Sequence, residues 1–240
     1  MAIIENKYRI GVKYVNQNRL LTLRGIILLL EDLACRHSDM VGFGINDTLK
    51  TNLSWVLLNW KIKILKEANY GSTVTVKTWS RDTNKLYTYR DFEIYDENNN
   101  LICIASSKWV LLSTKTGHIT QITDEIRNAY NPENKTVFEE PEISKLIEPS
   151  NANETFSFRV NRRDIDINNH MNNLYYLDYA LEALPEDVYL KKFKNVEKGC
   201  CQTPSDIAYA MPPPSMREAF TDCHYVKAPS KRELARRSRD

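Results

Sequence analysis

The 240-residue sequence has no apolar run long enough for a bilayer: "IILLL" at residues 26 to 30 falls far short of the roughly 20 residues a spanning helix needs. It also lacks a large excess of either charge, with a formal net charge of +2. A general pull on nucleic acid is thereby excluded, and an acidic partner has to be met by a local basic patch. The five cysteines (Cys35, Cys103, Cys200, Cys201, Cys223) are odd in number and lack metal-ligand spacing, so they imply neither a disulfide framework nor a metal site. The opening "MAIIENKYRIG" is charged by its fifth residue and does not read as a secretory segment. A soluble protein of the reducing cytoplasm is expected.

What is present is a core-forming pattern, with hydrophobic residues at 42%. The segment "RGIILLLEDLACRHS", residues 24 to 38, is apolar almost all the way round, which predicts a helix buried on most sides. His37 closes it, where a histidine commonly serves the last carbonyls. Period-two segments follow: Leu58, Trp60, Ile62 and Ile64 alternate with Asn59, Lys61 and Lys63, and "STVTVKTW", "YTYRDFEIY" and "LICIASSKWVLL" continue the pattern. They read as strands. "DENNN" at 96 to 100 reads as a hairpin turn, because Asn and Asp tolerate left-handed backbone. Residues 7 to 113 therefore predict a strand, a buried helix and an antiparallel meander: an α+β unit with one helix enclosed by one curled sheet. Trp55, Trp60, Trp79 and Trp109 fall in the strands, as core or as the lining of an apolar tunnel.

Residues 131 to 153 carry three prolines (Pro132, Pro141, Pro149) and many acids with little periodicity, and read as a linker. The opening pattern then returns. "FSFRVNRRD" ahead of a leucine-faced helix repeats the order of "YRIGVKYVN" ahead of the Ile26 helix, a weak internal duplication. The second copy breaks off: residues 197 to 240 hold one each of Ile, Val, Leu and Phe, no Asn or Trp, and five of the nine prolines. This tail is expected to be foreign to the domain, disordered and basic at its end. The expected organisation is thus 1–130, a linker over 131–153, a second unit begun over 154–196, and the aberrant tail 197–240.

Between residues 164 and 173 the chain crowds two aspartates, four asparagines and one histidine ahead of Leu174, Leu177, Leu181 and Leu184, whose spacing of three, four and three marks one helix face. Asn172 and Asn173 would lie at the helix start, where unpaired N–H groups and the positive end of the dipole can hold an oxyanion. Ordinary capping explains such a crowd equally well. The alternation Asp166, Asn168, His170 argues for a site, because in extended backbone alternate side chains face one way.

"RRDIDINNHMNNLYYLDYALEALP" resembles the signature of the acyl-ACP (acyl carrier protein) thioesterases of bacteria and plant plastids. "SWVLLNWKIKIL", "NYGSTVTVKTWSR", "RDFEIYDENNNLICIASSKWVLLS" and "ITDEI" are similar to further segments of that family, in the same order; the likeness covers about residues 7 to 196. It implies a tandem double hotdog, each repeat a long helix wrapped by an antiparallel sheet, here with an incomplete second repeat. It further implies hydrolysis of acyl-ACP to fatty acid and carrier without metal or organic cofactor. The N-terminal hotdog would shape the acyl pocket, and the catalytic Asp, Asn and His of the C-terminal one fall on Asp166, Asn168 and His170. The family's further catalytic Glu, on the strand after this helix, finds no match in "EKGCCQTP", and Glu197 is out of register.

On this basis Asn168 and backbone amides would stabilise the oxyanion, and His170 with Asp166 would activate water. Direct attack by a carboxylate is the alternative mechanism. The partner is an acidic acyl carrier protein, with Arg162 and Arg163 as docking candidates; neither nucleic acid binding nor membrane insertion is expected. An acyl-CoA thioesterase on the same fold and a non-catalytic acyl-binding module are the rival readings. Losing the strands after the second helix predicts low activity and poor stability.

Overall fold

The computed structural model describes residues 2–81, 85–143, 155, 156, 158–166, 171–182, 195–199, 226 and 227. Two compact units arise, residues 1–146 with 193–211, and residues 147–192 with 212–240.

In the first unit, β1 (Ile3–Arg9) leads through a one-turn 3-10 segment, Val12–Tyr14, into α1 (Leu23–Met40). Thr22 starts this helix by accepting the N–H of Gly25 on its hydroxyl, which supplies a partner that the first turn lacks. The expected apolar girth is present: Ile26, Ile27, Leu29, Leu30 and Leu33 are all buried. Each such side chain contributes about 1.5–3 kcal/mol relative to exposure. Gly25 is required for a different reason: a Cβ there would stand 2.4 Å from the Tyr14 carbonyl oxygen, so the glycine lets the 3-10 segment lie directly against α1.

After the short α2 (Thr48–Thr51) come β2 (Leu53–Ile64), β3 (Thr73–Ser80), β4 (Thr88–Tyr95), β5 (Leu101–Ser113) and β6 (Ile119–Thr120), then α3 (Asp124–Tyr130). The described sheet runs β1–β3–β4–β5–β2 and then β8 (Asn195–Gly199), antiparallel throughout, with β6 added to β5. The β4–β5 hairpin forms where the Asn-rich turn predicts it. Asp96 accepts the N–H groups of Asn98 and Asn100 on its carboxylate, and Asn99 takes the left-handed conformation. Trp60 and Trp79 are fully buried, whereas Trp55 and Trp109 are half-buried and donate to Tyr130 and Ser107. This is the α+β hotdog architecture, a helix against an antiparallel sheet.

Three readings of the sequence change. His37 closes α1 through its backbone carbonyl, which accepts from Val41 N, while its side chain is buried. There Arg90 Nη1 donates to Nδ1 at 2.9 Å, and the ring stands edge-on to Tyr130. Burial lowers the Arg90 guanidinium to about 10, so it remains a cation at neutral pH and the imidazole nitrogen facing it accepts.

Second, residues 131–143, expected to begin a free linker, lie along the sheet. Glu133 N donates to Ser80 O, Trp79 Nε1 to Lys135 O, and Val137 N to a carboxylate oxygen of the buried Asp91. Arg81, paired with Asp91, donates to Pro141 O, and Ile143 is buried. A strap held by isolated contacts, each to a different strand residue, needs no periodicity of its own, which is why the sequence pattern resembles a tether.

Third, the expected boundary after residue 196 falls inside β8, which continues to Gly199 and pairs with β2 over Asn59–Lys63. In the second unit β7 (Thr155–Phe156) pairs with β9 (Val226–Lys227), so two tail residues also have strand partners. The rest of the tail, with Cys200 and Cys201, lies outside the described residues. Helix α4 (Asn173–Glu182) carries the expected apolar face: Leu174 and Leu177 are buried and Leu181 half-buried, while Leu184 lies outside the described residues. Among the described residues no helix is long and apolar enough to cross a membrane.

Candidate active site at the second helix start

The candidate site is built from a 3-10 turn, a bracketed loop and the start of α4. The turn Arg162–Asp164 is closed by Asn161, whose backbone N–H and side-chain amide both donate to Asp164 Oδ2, at 2.7 and 3.3 Å. Asp164 is fully buried, and the Tyr179 hydroxyl of α4 donates to the same oxygen at 2.7 Å. The Tyr179 ring is stacked on Phe158, with centroids 3.7 Å apart. Burial alone would push the Asp164 carboxyl up; the Asn161 N–H, the Tyr179 hydroxyl and the Asn161 amide outweigh it and hold the carboxyl below the ordinary carboxylate range.

The loop that follows is pinned at both ends. Asn172 N donates to Asp164 O at 2.8 Å, and Ile165 bridges Met171 in antiparallel fashion. Asn172 then starts the helix, its side-chain oxygen accepting from Leu174 N at 2.9 Å. Asp166 is half-buried at the loop's first position. Asn168 and His170 lie outside the described residues, so of the three expected catalytic groups only Asp166 has a described place. Arg162 and Arg163 are exposed on the turn before the loop, and Arg163 Nε stands 3.6 Å from Asp164 Oδ1.

The first unit contains the same construction with every number lower by 150. Tyr14 N donates to Gly11 O and Asp164 N to Asn161 O; Val15 bridges Leu21 and Ile165 bridges Met171; Thr22 N donates to Tyr14 O as Asn172 N does to Asp164 O. Helix α1 begins at Leu23 and α4 at Asn173. By that offset Asn16, Asn18 and Leu20 correspond in sequence to Asp166, Asn168 and His170. In this first loop Asn16 Oδ1 accepts the N–H groups of Asn18 and Leu20, at 3.0 and 3.2 Å, and Arg19 takes φ +60°.

Two members of the site, Asp164 and Tyr179, escape a reading that singles out Asp166. The signal for Asp164 was available: Asn161 and Asp164 stand three apart, the spacing of a reciprocal cap. No sequence signal joins Tyr179 to it.

A hotdog protein whose sequence carries an acid, an amide and an imidazole just ahead of its second repeat's helix is the class that this fold and sequence define. The chain matches the acyl-ACP thioesterase N-terminal domain over residues 2–130 and the acyl-ACP thioesterase C-terminal domain over residues 147–197. It is 31% identical over 202 residues to oleoyl-acyl carrier protein thioesterase 2, chloroplastic, of Arabidopsis thaliana, covering 77% of this chain and 53% of the relative. It is 27% identical to a palmitoyl-acyl carrier protein thioesterase of Cuphea hookeriana, covering 78% of this chain and 48% of that one. Among solved structures, an acyl-ACP thioesterase from Bacteroides thetaiotaomicron superposes with TM-score 0.70 at 25% identity, over 82% of this chain and 79% of that one. The 12:0-ACP thioesterase of Umbellularia californica superposes with TM-score 0.66 at 23% identity, over 79% and 77%. The chain belongs to the acyl-ACP thioesterase family, and it spans about half the length of the curated relatives it matches.

Proposed function

We propose that this protein hydrolyses the thioester of acyl-ACP, releasing a free fatty acid and the carrier. Besides family membership, this reading is supported by the bracket that recurs in both repeats, Val15–Leu21 and Ile165–Met171, between whose ends the sequence carries Asn16-x-Asn18-x-Leu20 in the first and Asp166-x-Asn168-x-His170 in the second. Only the second sequence can do acid–base work. Water attacks the thioester carbonyl carbon, and the oxygen takes up negative charge. The Asn168 amide with N–H groups at the start of α4 stabilises that charge. His170, supported by Asp166, takes the water's proton and returns one to the thiolate as the C–S bond breaks. The sequence "EKGCCQTP" offers no match for the family's strand carboxylate, so proton transfer is assigned to His170 alone.

The acyl chain is assigned to the first unit, against α1 and the sheet, and the acidic carrier to the exposed pair Arg162 and Arg163. Cys35 and Cys103 are unbonded thiols, which suits a reducing cytoplasm. Burial pushes the Cys103 thiol up to about 12, too high for a nucleophile near neutral pH.

The test is release of free thiol from a panel of acyl-ACPs by the purified protein, beside the matched acyl-CoAs. Turnover of acyl-ACP that disappears in His170→Ala supports the reading. Equal or faster turnover of acyl-CoA would move the assignment to the rival substrate. Tight acyl-ACP binding without turnover would reduce the protein to an acyl-binding module.

A further inference from the structure

We propose that Arg90 is the receptor for a carboxylate at the end of an aliphatic chain, bound between α1 and the sheet of the first unit. The inference rests on the functional reading above only for where such a chain lies, and it concerns residues to which hydrolysis assigns no step.

The first observation is a cation without an anion. Arg90 is buried, and its Nη1 donates to two neutral acceptors, His37 Nδ1 at 2.9 Å and Thr78 Oγ1 at 3.3 Å. The centre of the Tyr130 ring lies 5.6 Å from its guanidinium carbon. Among the described residues no carboxylate pairs with it. The next residue of β4, Asp91, faces the other side of the sheet, and there the buried Arg81 has Asp91 as its counter-charge. Taking an ion out of water is strongly unfavourable unless an opposite charge replaces the lost hydration, and on the helix side the protein supplies none.

The second observation lies in the same row. Arg90 and Trp60 both pair with Ser107, so the three side chains share the helix-facing side of β4, β5 and β2. Trp60 is fully buried, and its Nε1 has no hydrogen-bond partner. Ser107 is engaged elsewhere: its hydroxyl accepts from Trp109 Nε1 at 2.7 Å and donates to Arg90 O at 3.3 Å. Buried N–H groups without an acceptor are rare. This row thus holds a cation lacking its counter-charge and a donor lacking its acceptor. Along the same faces the neighbouring residues, Phe92, Ile94, Ala105 and Ile62, are buried and apolar. A ligand that matches both features has a hydrocarbon body and an anionic oxygen at one end.

Two sources carry this chemistry: the fatty acid that hydrolysis releases, entering carboxylate first, and an acyl chain that bears a second carboxylate far from its thioester. The test titrates the full chain with dodecanoate and with dodecanol at about pH 8, where the acid is ionised, following tryptophan fluorescence and the Arg90 Nε–H resonance. Dodecanoate should bind at least about tenfold more tightly than dodecanol and shift that resonance. In Arg90→Met this advantage should vanish while dodecanol affinity stays within about threefold. Equal affinities in the parent, or an advantage that Arg90→Met retains, overturn the proposal. Should Arg90→Met fail to fold, the parent decides: a resonance unmoved by saturating dodecanoate overturns it.

The sources separate in the hydrolysis assay. Competitive inhibition of dodecanoyl-ACP turnover by dodecanoate points to the released acid, and faster turnover of the ACP thioester of dodecanedioic acid points to the substrate; both keep Arg90 as the receptor. The two readings also fail separately. Carboxylate-dependent binding by a parent that hydrolyses no acyl-ACP refutes the function and keeps the receptor. Turnover by a parent with no preference for the carboxylate keeps the function and refutes the receptor.

Discussion

The two helix starts of this chain, residues 11–25 and 161–175, share the same backbone contacts among their described residues and differ in sequence at nearly every position. At the first, Tyr14, Asn16, Asn18 and Leu20 hold a turn before α1 and include neither a carboxyl nor an imidazole. At the second, Asp164, Asp166, Asn168 and His170 occupy the same four places. The frame depends on backbone partners, so its side chains are free to carry chemistry in one repeat and packing in the other. Both sequences carry a side-chain oxygen at the first loop position, Asn16 or Asp166, and an asparagine at the third, Asn18 or Asn168.

The comparison breaks most sharply at the loop's third and fifth positions. Asn168→Ala or His170→Ala should cost about 10²–10³-fold in acyl-ACP hydrolysis, measured as thiol release, whereas Asn18→Ala, at the matching exposed place in the first loop, should leave the rate unchanged. A smaller effect, on stability, belongs to the first helix start. Gly25→Ala places a methyl group 2.4 Å from the Tyr14 carbonyl and should destabilise the chain by about 1–3 kcal/mol, read from the urea midpoint. In the second repeat Tyr175 stands at that place, so the close approach is particular to α1.

Acid separates the two starts next. The Asp164 carboxyl is depressed in the fold, so its contribution is present above the unfolded pKa, about 3.9, and is lost as pH falls through the folded value below it. The resonances of Tyr179 and Phe158 should therefore shift below about pH 4 and cease to do so in Asp164→Asn. The smallest effect is expected from Asn16→Ala, about 0.5–1 kcal/mol, because the two N–H groups it frees are near the surface and water replaces the amide. Asn16→Asp should restore the loss.

Much of the first unit was legible. The apolar girth of residues 26–34 could only be buried, the alternation through residues 58–64 could only be a half-buried strand, and Asp96 to Asn100 had the composition of the turn they form. The duplication was legible as an order of patterns, although its fixed offset emerges only from the bridges Val15–Leu21 and Ile165–Met171. Glu133, Lys135 and Val137 were unreadable as a strap because each is held by a different strand residue, and such contacts leave no period. In the candidate site, the alternation of Asp166 with Asn168 and His170 is what the sequence singles out. Asp164 was overlooked because the group that completes its surroundings, Tyr179, comes from the next helix.

What the sequence determined by itself is therefore local: which segments are helix or strand, where the turns fall, and which short stretch holds acid, amide and imidazole together. These follow from periodicity and from neighbours a few residues apart, where chain connectivity already brings the groups into reach. The tertiary structure alone decided the partners across distance. It set His37 against Arg90, laid residues 131–143 on the sheet, joined β8 to β2 and buried Asp164 beneath Tyr179. A buried polar group must find a partner, and which one it finds is settled by how the elements pack.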